Sequence, residues 1–238
     1  MAVFALWSAP RARSTAFFRS MLQRGDLTAL HEPFCNIICF GETDGPGGRM
    51  FRSAPELLGW LRDETGGRGV FFKDTTDFRH AEVLADRRFL ARAHHAFLIR
   101  APEEIAASYY ALYPGMSLKA VGLESMHELY TAVRDAGGSA VVLDSGDLAA
   151  RPEATMRAYC AAAGLPFRPE SLTWEPGERP EWRRSARWHA DASGSSGFRQ
   201  RRERGYTRTV ENSEYLARCA RRHRPFYEAL LAERLVVP

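Results

Sequence analysis

The sequence predicts a three-layer α/β fold, with a central parallel β-sheet of about five strands flanked by helices. Three observations carry this reading. Short apolar runs alternate with segments of helical periodicity along most of the chain. The runs are apolar at consecutive positions, as strands buried on both faces are. Several helical segments open on proline or close on glycine. With 238 residues the chain can bury one substantial core, and residues 1–238 are read as a single domain.

AVFALW (2–7) is the first strand, and STAFFRSMLQRG (14–25) follows as a helix closed by Gly25. LTALHEPF (27–34) is a second strand stopped by Pro33, and GETDGPGG (41–48) is a loop. PELLGWLRD (55–63) has helical spacing, while RGVFFKDTT (68–76) and HHAFLIR (94–100) are buried strands. PEEIAASYYAL (102–112) starts a helix with proline first and acids in its first turn. A further helix covers about 118–136. SAVVLDSGDL (139–148) is the last strand, and PEATMRAYCAAAGL (152–165) is a helix closed by Gly164. From 168 to 210 the periodicity dissolves into Trp, Arg, Gly and Ser. That is too long for an ordinary connection and reads as a lid or cofactor loop. A last helix covers about 212–234.

Composition narrows the function. A formal charge of +4 makes no case for nucleic acid, and the basic charge is nearly all arginine, with Lys73 and Lys119 the only lysines. Arginine suits phosphate and sulfate because its donors form a fork. Cys35, Cys39, Cys160 and Cys219 make neither a disulfide framework nor a zinc pattern and are expected to be free, mostly buried thiols. No basic leader precedes the six-residue apolar run at the start, and no run approaches the ~20 residues a bilayer requires. The expectation is a cytoplasmic protein without membrane association.

In parallel sheets, ligands gather beyond the carboxyl ends of the strands, where helix N-termini attract anions. SAPRARST (8–15) lies at such a place. Its turn amides from Arg11 through Ala12 and Arg13 to Thr15, the Ser14 and Thr15 hydroxyls and the Arg11 guanidinium can converge on one phosphate. The glycines and lysine of a Walker loop are absent. Read alone, the stretch is equally a capped helix start with solvated arginines. In FLIRAPEEIAAS (97–108), Arg100 ends a strand and Ser108 lies nearly two turns into the next helix, placed to meet a second anion.

These motifs resemble the P-loop-related sulfotransferases that use 3′-phosphoadenosine-5′-phosphosulfate (PAPS). PRARST (10–15) is similar to the family's P-[KR]-[ST]-[GR]-[ST]-T turn for the 5′-phosphosulfate, with Arg11 in the place of the basic catalytic residue. Arg100 and Ser108 match the pair that holds the 3′-phosphate. VVLDSGDLAARPEATMRAYCAAAGLPF (141–167) is similar to the family's later strand–helix stretch. The resemblance covers roughly 4–167. HEPF (31–34) fits branches with Glu-Pro after the second strand, which makes Glu32 the expected base for the acceptor hydroxyl; a structural carboxylate paired with Arg11 or Arg13 is the plainer alternative. His31 falls on the opposite strand face, as core or support.

Two departures stand out. Lys73 is followed by Asp74 and Thr75, without the histidine of the aryl and steroid branch. Lys73 is then either a contact to the sulfonate or a strand-end partner of Asp74. The family's late Arg-Lys-Gly motif is also missing. RRSARWHADASGSSGFRQRRERGY (183–206) stands in its place, so Ser195, Ser196 and Gly197 are the expected late cofactor contacts and His189 is a rival base. The resemblance implies a cofactor product of adenosine 3′,5′-bisphosphate (PAP), no metal, a hydroxyl-bearing small-molecule acceptor and a place in small-molecule or secondary metabolism. A homodimer is compatible with it. Phe34, Tyr109, Tyr110 and Trp188 around the mouth favour a partly apolar acceptor. Phosphoryl transfer from ATP, or nucleotide binding without catalysis, are the rival readings.

Overall fold

The computed structural model describes residues 2–63, 67–198 and 205–237. In chain order the elements are β1 Val3–Ser8, α1 Ser14–Gln23, β2 Thr28–His31, α2 Pro33–Phe40, β3 Thr43–Asp44, β4 Met50–Phe51, α3 Ala54–Asp63 and β5 Val70–Thr75. They continue with α4 Ala81–Ala85, α5 Arg87–Arg92, β6 His94–Ile99, α6 Pro102–Tyr110, α7 Leu123–Asp135, β7 Ser139–Asp144, α8 Ser145–Ala150, α9 Pro152–Ala162, α10 Ala190–Ser193 and α11 Glu214–Ala232.

Five strands form one parallel sheet in the order β2-β5-β1-β6-β7, and β3 pairs with β4 in a separate antiparallel ribbon. The apolar runs are those of a sheet covered on both faces. Phe71 packs against Phe17 and Phe18 of α1, while its neighbour Phe72 meets Trp7, Phe34 and Phe89 on the other face. This is the period of two that places helices on each side. Phe71 and Phe72 are fully buried, and truncating such a side chain to alanine typically costs ~3–5 kcal/mol.

β1 sits centrally. The chain leaves it towards β2 on one side and later places β6 on the other, so the crevice for a ligand lies beyond its carboxyl end. No helix among the described residues is long and apolar enough to cross a membrane.

Several boundaries differ from the sequence reading, each for a local reason. The second strand ends at His31, not 34, because Pro33 opens α2 instead of stopping a strand; the amides of Phe34 and Cys35 are taken by the Asp74 carboxylate. The last strand ends at Asp144, not 148, since its carboxylate accepts the Gly146 and Asp147 amides and starts α8. The helix expected over 118–136 is divided at Gly122, whose φ of 79° breaks it into a 3₁₀ turn and α7. The last helix is α11, started by the Ser213 hydroxyl on the Leu216 amide. Helices α4 and α5, between β5 and β6, were not read from the sequence. Cys35, Cys160 and Cys219 are buried, but Cys39 is exposed.

Candidate functional site

A cavity of about 1130 Å³ opens beyond the carboxyl ends of β1, β2 and β5. Three non-glycine residues at this edge have positive φ: Arg11 (62°) and Arg13 (64°) after β1, and Glu32 (49°) after β2. Such backbone costs on the order of 1–3 kcal/mol per residue and concentrates at functional sites. The anion-turn residues Arg11, Arg13, Ser14 and Thr15 line the cavity, and no side chain caps the N-terminus of α1. The amides of Ser14 and Thr15 open that helix and have no intrahelical acceptor. Ala12 departs from expectation: it is fully buried, and its amide is spent on the Ala9 carbonyl at 3.2 Å.

Lys73 and Glu32 face each other across β5 and β2. The Lys73 ammonium donates to the Glu32 carboxylate, and the side chains are only 1% and 13% exposed. Lys73 therefore pairs with Glu32, not with Asp74, and Glu32 pairs with neither Arg11 nor Arg13. Asp74 is occupied by the start of α2 and the Thr75 amide. Burial would raise the Glu32 pKa, but Lys73 overrides it, and with His31 and His189 holds the carboxyl well below the usual range.

His189 comes from the aperiodic 168–210 stretch, yet it is buried at the same edge. Its Nδ1 lies 2.9 Å from the Thr15 hydroxyl and its Nε2 3.1 Å from that of Ser185. Burial pushes its pKa down to about 4, with Glu32 opposing and Lys73 assisting, so the ring is neutral at pH 7. Its two nitrogens are already engaged. His31 packs edge-on against His189 at 4.7 Å between centroids, and neither of its nitrogens has a hydrogen-bond partner among the described residues. Burial lowers the His31 pKa well below its ordinary value, and the ring acts as neutral packing under the site.

Arg100 and Ser108 do not meet directly. Arg100 is buried, bonded through Nε and Nη2 to Glu104 Oε2 at 2.8 and 2.6 Å, and its Nη1 donates to the Arg11 carbonyl at 2.6 Å. Ser108 Oγ instead takes Arg11 Nε at 3.3 Å, beside a smaller cavity of about 140 Å³. Arg11 is the link between them, and its Nη1 also donates to the Trp188 carbonyl at 2.8 Å. Arg100 lies just before α6 and Glu104 in its first turn, and the Glu104 carboxylate occupies the guanidinium.

Of the late residues, Ser195 and Gly197 line the cavity, while the Ser195 hydroxyl donates to the Ala192 carbonyl and accepts from the Trp174 indole. The Ser196 carbonyl accepts the Trp174 amide. Residues 199–204 of the same stretch lie outside the described residues. Arg19, buried under it, donates to the carbonyls of Glu175, Gly177 and Ala192 and lies over Trp174 and Trp182, which ties the segment to α1. Tyr109 and Trp188 line the cavity as expected. Phe34 and Tyr110 do not: both pack on the core. Asp77, Tyr113, Arg184 and Ser185 were missed; Asp77 had a signal, a second acid three residues beyond Asp74 at a strand end.

Among the described residues, two clusters have metal-ligating atoms within 4.8 Å of one another: His31, Glu32 and His189, and Cys35, Asp74 and His80. In each, a protein partner already holds the carboxylate, Lys73 in the first and backbone amides in the second.

A family model described as a sulfotransferase domain matches residues 76–234. The chain is 28% identical over 243 residues to branched-chain-amino-acid aminotransferase-like protein 2 of Arabidopsis thaliana, covering 97% of this chain and 41% of that protein. It thus spans about two-fifths of the length of that curated relative. Among solved structures it is similar to a sulfotransferase from Alicyclobacillus acidocaldarius, with a TM-score of 0.51, 17% identity and coverage of 80% of this chain and 95% of that one. A sulfotransferase domain from the curacin biosynthetic pathway aligns with a TM-score of 0.48 at 12% identity, over 100% of this chain and 93% of that one.

Proposed function

The chain belongs to the sulfotransferase domain family, and from that premise we propose that it moves a sulfonate from PAPS to a hydroxyl of a small molecule. The observation that carries the reading is the buried Lys73–Glu32 pair, set in the same cavity as the uncapped N-terminus of α1. The fit to the nucleotide rests on that open helix end, the Ser14 and Thr15 hydroxyls and the flanking arginines, which together suit a phosphosulfate. When bound, the nucleotide supplies a sulfonate on a phosphate leaving group.

Glu32 accepts the proton of the acceptor hydroxyl as that oxygen bonds to sulfur and the sulfur–oxygen bond to the phosphate breaks. An ion-paired carboxylate is a weak base, so the partner matters. As Lys73 turns towards charge gathering on the departing phosphate oxygen, Glu32 loses its counter-ion and its basicity rises. The helix-opening amides and Arg11 form the rest of the anion site, and such fixed donors are commonly worth ~3 kcal/mol each in a transition state. Arg100 and Ser108 hold the 3′-phosphate and so orient rather than react. Glu32 is preferred over His189 as base because one of its oxygens is free of Lys73, whereas both His189 nitrogens are bonded. The part of the late segment that carries His189, Ser195 and Gly197 covers the nucleotide.

Calorimetric titration with PAP, ATP and ADP, beside sulfonate transfer assayed on a panel of alcohols and phenols, tests this. PAP should bind tightest and a sulfated product should form. Tighter binding of ATP, with phosphorylated product, would replace the reading with phosphoryl transfer.

A further inference from the structure

Beyond the Lys73–Glu32 pair, the cavity is lined by α2, by the 75–78 segment after β5, and by α6 with its continuation to Tyr113. Among the described lining residues of these three segments, Asp77 alone bears a charge. The rest are apolar, aromatic or neutral. Phe40, Phe78 and Tyr113 are 49%, 37% and 48% exposed, an unusual outlay of large hydrophobic surface at one rim.

One oxygen of the Asp77 carboxylate lacks a donor among the described residues. Oδ2 accepts the Tyr109 hydroxyl at 3.2 Å. Oδ1 is buried with no hydrogen-bond partner among the described residues; burial raises the carboxyl's pKa, and hydrogen bonds to the group from the Thr75 and Tyr109 hydroxyls oppose that rise. A buried acceptor without a donor needs an explanation, because it forgoes water for nothing. Of the cationic lining residues of the late segment, Arg184 is paired with Glu42 and Asp44 and Arg187 lies over the Trp188 ring. Lys73 is held by Glu32. Among the described residues no cation pairs with Asp77, while Phe40, Phe78, Tyr109 and Tyr113 line the same cavity.

An anion in an aromatic-lined cavity has the chemistry to receive an organic ammonium, through a charge-assisted hydrogen bond and cation–π contact. We infer that Asp77 selects acceptors that carry a protonated amine besides their hydroxyl, on an aromatic or apolar body. This rests on the sulfotransferase reading, with the hydroxyl directed to Glu32 and the amine to Asp77. Tyr109 orients the carboxylate by bonding its other oxygen.

The test is calorimetric binding of tyramine and of 4-ethylphenol, which differ in the amine, to the wild type and to Asp77→Asn, with and without PAP. The wild type should prefer tyramine by roughly tenfold or more, the scale of a charged contact in a partly buried site. Asp77→Asn should bring the two ligands within about twofold, the scale of neutral change, and leave 4-ethylphenol, PAP and the melting temperature as they were. Asp77→Glu, which keeps the charge, should retain part of the preference. Equal affinity of the two ligands in the wild type, or a preference that survives in Asp77→Asn, overturns the assignment. A preserved amine preference with no PAP binding would sustain Asp77 and defeat the transfer reading instead.

Discussion

Lys73 and Glu32 are joined twice: the Glu32 amide donates to the Lys73 carbonyl at 2.6 Å, and the Lys73 ammonium donates back to the Glu32 carboxylate. Strand register produces this, since His31 stands opposite Lys73 in the β2–β5 pairing and Glu32 follows at the strand end. Backbone and side chain thus fix one geometry.

A buried pair of this kind is worth most when one partner is removed. Lys73→Met leaves the Glu32 carboxylate without its counter-ion and should destabilise the fold by ~3–5 kcal/mol. Adding Glu32→Gln to Lys73→Met should restore much of that loss. Urea denaturation of the two single variants and the double variant measures the coupling; additive losses would mean that the pair is not stabilising.

The Arg100–Glu104 bond makes a prediction of its own. Glu104 holds the guanidinium assigned to the 3′-phosphate, so nucleotide and carboxylate compete for it. Glu104→Gln should tighten PAP several-fold while leaving adenosine 5′-phosphate unchanged, and Arg100→Ala should abolish the preference between the two. Titration calorimetry reads both; equal effects on the two nucleotides would detach Arg100 from the 3′-phosphate.

Where candidate residues sit on strand ends, their place in the fold is legible in the sequence. Arg11, Glu32, Lys73 and Arg100 each follow an apolar run, and a parallel sheet gathers such ends at one edge. What depended on distant partners was hidden. Helix α2 is fixed by Asp74, forty positions away from Phe34, so Pro33 reads locally as a terminator. Arg11 meeting Ser108, and Lys73 choosing Glu32 over its neighbour Asp74, follow from three-dimensional register and not from spacing. His189 lies in a stretch without periodicity, held by Thr15, Ser185 and ring packing, and no local pattern predicts that place. Asp144 is different: an acid followed by Ser-Gly-Asp is a legible helix start that was read as strand.

Stability should depend on pH through the buried histidines. His189 and His95 are each pushed down to about 4, by burial first, while an unfolded histidine titrates near 6.5. Between those values the unfolded chain binds the extra protons, so stability is full above about pH 6.5 and falls as pH drops towards 4, by on the order of 3 kcal/mol for each ring. Glu32, whose pKa is depressed by Lys73 against its burial, adds a further loss below about pH 4.3. Urea midpoints from pH 8 to 4 check the slope. His189→Gln should flatten it, and an unchanged slope would show that His189 does not contribute.

The most direct measurement is the rate of sulfonate transfer in Glu32→Gln beside His189→Ala, at saturating PAPS and with melting temperatures recorded. The account predicts that Glu32→Gln lowers turnover by ~10²–10⁴, the span of a general base, with PAP affinity retained in a protein that still folds but melts lower, because Lys73 loses its counter-ion. His189→Ala should cost much less. A Glu32→Gln enzyme that turns over at nearly the wild-type rate, while a folded His189→Ala enzyme is inactive, would contradict it.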